Sequence, residues 1–288
     1  VARGSKLARP AALGLLGVLT LTGCSMPNNE FWRFGWPEGV TEEATLMREL
    51  WTGSVIAALI VGVIVWALIL YPVFAHRKRG NELPRQTAYN LPLEIGYTVV
   101  PFLIIAALFF YTVTVQNEVM DRSEEPDETI AVNAFKWNWQ FIYPETEGVN
   151  GEPVETVGAS DEIPILVVPT DRTVRFEVFS SDVIHSFWVP EFLFKLDVIP
   201  GNDNGRDNVF EVTVDEEGAF VGRCAELCGT YHAFMNFEVR AVSGDDYDAY
   251  LEARESGLTT YEALEEIGQP GEATTTFPYY EPQQANGG

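Results

Sequence analysis

Two stretches of this chain carry no charge at all, Trp51 to Ala75 and Ile95 to Asn117. Each exceeds the roughly 20 residues that an α-helix needs to cross the hydrocarbon core of a bilayer. A soluble protein rarely buries two helices of that length that are apolar all round. The pattern therefore predicts two transmembrane helices, at about 51–75 and 94–117. Between them lie His76-Arg77-Lys78-Arg79 and, further on, Arg85. Basic loops stay on the cytoplasmic side. The loop from Ala75 to Pro92 is thus expected inside, with His76 facing lipid headgroups, and everything after Asn117 outside.

The N-terminus agrees with that orientation. Arg3, Lys6 and Arg9 precede the apolar run Ala11 to Thr20, which reads as a secretory signal peptide over residues 1–23. Its end, Leu21-Thr22-Gly23-Cys24, resembles a bacterial lipoprotein cleavage box. The resemblance implies cleavage before Cys24 and lipidation of its thiol.

Charge divides the chain at the same place. The whole carries 18 bases against 42 acids, a net of −24, and the part from Glu118 to Gly288 holds thirty-five of those acids with nine bases. Such a chain lacks the basic face that phosphates require and is not a nucleic-acid binder. Its acidic exterior attracts cationic partners, in a manner that salt weakens.

Beyond Thr129 the pattern changes to short runs of β-branched and aromatic residues. Ile130–Phe135, Ile165–Val168, Thr173–Phe179, Val209–Val214 and Asn236–Val242 read as strands. Many short strands without intervening helices predict a sandwich or Greek-key barrel. Pro144 to Pro164 is polar and reads as an inserted surface loop. Asp245 to Ile267 is helix-like, with Tyr247, Tyr250 and Leu251 on one face, and Gly268 to Gly288 reads as a flexible tail.

The chemistry is concentrated in Cys224-Ala225-Glu226-Leu227-Cys228-Gly229-Thr230-Tyr231-His232-Ala233-Phe234-Met235. A turn carrying these residues between two strands would converge two thiols, an imidazole and a thioether. His185 would arrive from a neighbouring loop. Thiolate, imidazole and thioether together suit copper. Other readings compete. Paired cysteines in an exported domain commonly form a disulfide. Zinc would use the two Cys and two His and leave Met235 idle. A mononuclear blue-copper site has no use for a second cysteine. A thioredoxin-class copper chaperone needs alternating strands and helices and leaves the membrane spans unexplained. Five potential ligands with this spacing suit a two-copper site best.

The pattern Cys-x-Glu-x-Cys-x-x-x-His-x-x-Met, with His185-Ser-x-x-Val-Pro190 and Asp197-x-Ile-Pro-Gly201 upstream, closely resembles subunit II of haem–copper cytochrome c oxidases that carry the dinuclear CuA centre. The resemblance runs from about Leu46 to about Val242. It implies an α+β membrane protein, a two-helix transmembrane hairpin (24–117, with the lipidated N-terminus) followed by a cupredoxin-like Greek-key β-barrel (118–242). It implies Cys224 and Cys228 as bridging copper ligands and His185 and His232 as one ligand to each metal. Met235 and the Glu226 carbonyl would be weak ligands, with the Glu226 carboxylate turned to a magnesium shared with the catalytic subunit.

Phe135-Lys136-Trp137-Asn138-Trp139 resembles the family's aromatic patch, in which the first tryptophan, here Trp137, receives the electron. Asn138 departs from that pattern, since many members carry an aromatic there. Glu94, an acid at the inner membrane boundary and seven residues before Pro101, resembles the glutamate at the mouth of a proton path. The implied partners are a haem-containing catalytic subunit, other oxidase subunits, membrane lipid and a cytochrome c-type donor, free or held in a membrane-bound cytochrome bc complex. Docking of that donor complex is the role expected of the 144–164 insert and the tail. The related quinol-oxidase subunit lacks the copper ligands, all of which are present here.

Overall fold

The computed structural model describes residues 30–81, 86–201 and 208–278. The expected signal peptide, Cys24, Arg85 and residues 279–288 lie outside the described residues. Two compact units are formed, one holding 48–113 and the other 36–47 with 114 onward.

The first unit contains most of helix α1 (Glu42–Ala75) and helix α2 (Leu91–Val119). Both are long and apolar enough to cross a membrane, and none of their most apolar stretches is buried within the protein. Leu59, Val63, Trp66, Phe102, Leu103 and Phe109 stand exposed on them. Such surfaces need lipid. Both helices begin earlier than the uncharged runs alone predict, because their polar first turns are capped. Thr41 Oγ1 accepts from the Ala44 N–H at 3.0 Å, and Glu42 and Glu43 occupy the positive end of the α1 dipole. Asn90 Oδ1 accepts from the Leu93 N–H at 3.4 Å, and Glu94 Oε1 accepts from the Asn90 N–H at 2.9 Å. Glu94 is thus a half-exposed capping residue at the start of α2.

The second unit is a sandwich. Its strands are β1 (Glu128–Phe135), β2 (Asn138–Glu147), β3 (Pro153–Val157), β4 (Ile165–Pro169), β5 (Thr173–Ser180), β6 (His185–Val189), β7 (Phe194–Val198), β8 (Val209–Thr213), β9 (Gly218–Cys224) and β10 (Asn236–Val242). They form two five-stranded sheets, ordered β3-β2-β1-β5-β8 and β4-β10-β9-β6-β7. The expected barrel is therefore realised as two facing sheets, joined by an aromatic core. Trp139 meets Phe187 at 5.9 Å, Phe141 meets Phe237 at 5.4 Å and Phe176 meets Phe187 at 5.8 Å. At Gly222 a Cβ would lie 2.1 Å from the Phe237 ring, so only glycine lets that ring fill the core. Helices α3 (Gly244–Glu255) and α4 (Thr260–Glu266) follow, with Tyr247 and Tyr250 buried as the periodicity predicts and Leu251 partly so.

Three expectations are corrected. Residues 144–164 are not simply a loop. β2 continues to Glu147, with Thr146 buried, and β3 adds an edge strand with Val154 and Thr156 buried at alternate positions. Outward Glu145, Glu147 and Glu155 mask that alternation in the sequence. His185 opens strand β6 rather than sitting in a loop, and its strand buries His185, Phe187 and Val189 on one side. Finally, residues 268–278 are fastened to β10 by hydrogen bonds to Glu238 and Arg240.

A buried ion pair ties the segment after α2 to this sandwich. Glu211 accepts from Arg175 Nε at 2.8 Å and from the Ser123 N–H and Oγ, both at 2.9 Å. Burial pushes the Glu211 carboxyl up, but the Ser123 N–H and the Arg175 guanidinium outweigh it and hold it below its usual value. Its contribution to stability is present above pH ~4.5 and is lost as pH falls through the depressed value. Arg175→Met is expected to cost about 2–3 kcal/mol at neutral pH by leaving the buried Glu211 carboxylate without its counter-charge. In thermal melts of the full chain in detergent, that deficit should shrink as pH falls below ~4.5 and Glu211 becomes protonated.

Candidate metal centre

Cys224 ends β9 and Met235 immediately precedes β10, and the turn between them folds back on the sandwich. The Cys224 N–H bonds to the Met235 carbonyl at 3.0 Å and closes that turn. Its sulfur-bearing side chains face inward. Cys224 and Cys228 are buried, Met235 is fully buried and His185 is fully buried on the neighbouring strand. His232 is half-buried and the side chain of Glu226 is exposed.

The donor atoms converge. Cys224 Sγ lies 3.8 Å from Cys228 Sγ, well beyond the ~2.05 Å of a disulfide. Cys224 Sγ stands 3.8 Å from His185 Nδ1 and 3.2 Å from the Glu226 carbonyl. Cys228 Sγ stands 3.6 Å from His232 Nδ1 and 3.7 Å from Met235 Sδ. The ligand atoms of His185, Cys224 and Cys228 all lie within 4.8 Å of one another. Each sulfur thus has its own imidazole and its own weak third donor. Six donors are two too many for one tetrahedral ion. They are the right number for two ions that share both sulfurs, each completed by one nitrogen and one weak axial donor.

Charge leads to the same conclusion. Burial pushes the Cys224 thiol up, but hydrogen bonds from His185 and the surrounding backbone outweigh it and bring it down to about 7. Cys228 is pushed up to about 12 by burial and by the Cys224 thiolate beside it. Two adjacent buried thiolates therefore need positive charge between them, which bound metal supplies.

Asp182 orients this centre, and the sequence reading missed it. Its Oδ1 meets His185 Nε2 at 2.8 Å, while its Oδ2 accepts from the Lys136 N–H at 2.8 Å. The outer nitrogen of His185 is thereby engaged and Nδ1 is left facing the thiols, as a carboxylate does behind many metal-bound imidazoles. An acid three residues before a ligand histidine was the available signal. Burial tends to raise the Asp182 carboxyl, but the bond to His185 and the N–H groups of Val183 and Lys136 outweigh it and lower it. Trp139, expected as packing, also has a polar task, since its Nε1 donates to the Met235 carbonyl at 3.2 Å.

Trp137 sits beside the centre. Its Nε1 donates to the Cys228 carbonyl at 3.3 Å, and its ring meets Tyr231 edge-on at 4.9 Å. Gly229 permits this approach. Its φ is +128°, and a Cβ there would lie 3.1 Å from Trp137 Nε1. Among the residues singled out in the sequence, the structure brings together His185, Cys224, the Glu226 carbonyl, Cys228, His232, Met235 and Trp137. Glu94 belongs to the other unit, where it caps α2.

Comparison with known proteins now bears on the whole chain. The family model described as "Cytochrome C oxidase subunit II, periplasmic domain" matches residues 129–242. The "Probable cytochrome c oxidase subunit 2" of Nocardia farcinica is 46% identical, over 96% of this chain and 89% of that protein. The chain belongs to the cytochrome c oxidase subunit II family. The "Cytochrome c oxidase subunit 2" of Mycobacterium tuberculosis is also 46% identical, over 96% of this chain and 90% of that protein. The solved periplasmic domain of cytochrome oxidase subunit II from Bradyrhizobium japonicum is 32% identical and covers 46% of this chain and 97% of its own, with a TM-score of 0.39. As a member of this family, the chain combines two membrane-type helices with an extracytoplasmic domain of cupredoxin type.

Two expectations follow from this geometry. Asp182→Ala should shift the reduction potential of the copper-loaded centre and weaken metal retention by about tenfold or more, checked by redox titration and competition with a chelator. Gly229→Ala should displace Trp137 and alter its fluorescence while the sandwich still melts cooperatively, checked by emission spectra and thermal unfolding.

Proposed function

We propose that this chain is the electron-accepting subunit of a terminal respiratory oxidase. It takes electrons from a cytochrome c-type donor and passes them to haem in a separate catalytic subunit, where oxygen is reduced to water with proton pumping. The observation that carries this reading is the set of four further donor atoms around two unjoined buried cysteine sulfurs. Bound there, a copper pair sharing both thiolates would supply one-electron chemistry with little change of shape between redox states.

The protein's own residues do the rest. His185, Cys224, Cys228 and His232 would hold the metals, with Met235 and the Glu226 carbonyl as weak donors. Asp182 and Trp139 keep His185 and the Met235 backbone in place before and after transfer. The fixed sandwich limits reorganisation, because its packed core resists changes of shape. Trp137 receives the electron, and its bond to the Cys228 carbonyl leads straight into the thiolate turn. The thirty-five acids of the second half attract a cationic cytochrome and speed encounter.

Further assignments belong to the same reading. The exposed Glu226 carboxylate is turned to a magnesium shared with the catalytic subunit. Glu94 collects protons at the cytoplasmic boundary. The precursor is cleaved before Cys24, which is lipidated, in a bacterial plasma membrane with the sandwich outside. The donor is held in a membrane-bound cytochrome bc complex.

Trp137→Phe removes the Nε1 donor and keeps an aromatic ring. In the assembled oxidase it should slow reduction of the copper centre by the c-type donor by at least about tenfold, a barrier increase of about 1.4 kcal/mol. Copper content should stay unchanged. Stopped-flow absorbance together with metal analysis checks this, and an unchanged rate would remove Trp137 from the path.

A further inference from the structure

β10 carries two charges on one face, and both are buried. Glu238 is 0% and Arg240 2% exposed. They pair with each other, and the Glu238 carboxylate and the two terminal nitrogens of Arg240 also bond to the segment that follows α4. Arg240 donates to the Pro270 carbonyl at 2.8 Å and to the Glu272 carbonyl at 3.3 Å. Glu238 Oε2 accepts from the Thr274 N–H at 2.6 Å, the Thr275 N–H at 2.7 Å and the Thr275 hydroxyl at 2.8 Å. Residues 270–275 therefore form a strap over β10. It runs opposite to the strand, from Arg240 past Glu238 toward Asn236. Burying two charges is expensive unless they are paired and hydrogen-bonded, and beyond their own pairing the strap supplies most of the bonds.

The strap leads to the electron-receiving side of the domain. Pro278 lines a cleft of about 420 Å³ together with Trp137, Tyr231, Phe234, Asn138 and Ile163. Phe277, beside it, is 73% exposed. Among the described residues lining the cleft, Lys136 is the only charged one, although this half of the chain carries thirty-five acids. A contact zone that is rich in aromatics and nearly free of charge, inside a charged surround, is the usual anatomy of a protein–protein interface. Exposed aromatics at its centre contribute most of the affinity.

We propose that the strap is a specificity-determining part of the donor surface. The Glu238–Arg240 pair is its positioning element, and Phe277 and Pro278 are the wall against which the apolar rim of a cytochrome's exposed haem edge seats. This rests on Trp137 as the electron-receiving residue. The strap adds a recognition surface that the copper turn and Trp137 do not themselves provide.

The test uses the assembled oxidase with two electron sources. One is the solubilised haem domain of the native c-type donor. The other is a small phenylenediamine reductant that needs no docking surface. Phe277→Ala combined with Pro278→Ala leaves the clamp intact. It should raise KM for the cytochrome about fivefold or more, with kcat within about twofold and reduction by the phenylenediamine unchanged. Glu238→Ala frees the strap. It should give the same rise in KM, together with new protease sensitivity between residues 269 and 278. An unchanged KM in the first variant overturns the proposal, whether or not the second variant assembles. Equal slowing with both electron sources also overturns it, by showing that the strap supports the copper centre instead. A wild-type oxidase that the phenylenediamine reduces and the cytochrome does not would overturn the donor reading, and the strap's role with it.

Discussion

Cys224 and Cys228 hold their sulfurs 3.8 Å apart in a buried place where the charge of one thiolate opposes that of the other. Positive charge between them relieves that repulsion, and the surrounding structure is arranged to receive it. β9 and β10 fix the two ends of the turn that carries both thiols. β6 brings His185 from the neighbouring position in the same sheet. Asp182 engages the far side of that imidazole, and Trp139 anchors the carbonyl of Met235. Removing any of these leaves the donors present but their convergence unsupported.

The same turn joins the metal centre to the protein surface. Cys228 offers its sulfur inward and its carbonyl outward to Trp137. Asp182 contacts His185 and also the backbone N–H that precedes Trp137. The ligand shell and the tryptophan turn are therefore held by one carboxylate. The absence of a side chain at Gly229 lets the indole close over the thiolate turn. Stiffness matters here because an electron-transfer site works best when little moves between its two oxidation states, and the packed aromatic core behind it provides that stiffness.

Much of this was legible in the sequence. The uncharged runs gave two membrane-type helices, because a helix crossing lipid must be apolar all round. The five expected runs in the exported half became β1, β4, β5, β8 and β10. The Cys-Glu-Cys-His-Met turn and His185 met as their chemistry suggested. What escaped was carried by residues of mixed character. β3 hides behind outward glutamates, and β6 opens with a histidine that looked like a loop ligand. The strap at 270–275 is polar and has no periodicity, since its order comes from Glu238 and Arg240 more than thirty residues earlier. Asp182 and Gly229 were visible in the sequence, but their roles depend on contacts that spacing alone does not reveal.

The chemistry proposed for this centre depends on two metals sharing both sulfurs. Copper counting and electron paramagnetic resonance on the copper-loaded full chain test it most directly. Two coppers per chain are expected, with a hyperfine pattern of one unpaired electron shared equally by two copper nuclei that Cys228→Ser abolishes. One copper per chain with a single-nucleus pattern, or a signal that survives Cys228→Ser, would contradict it.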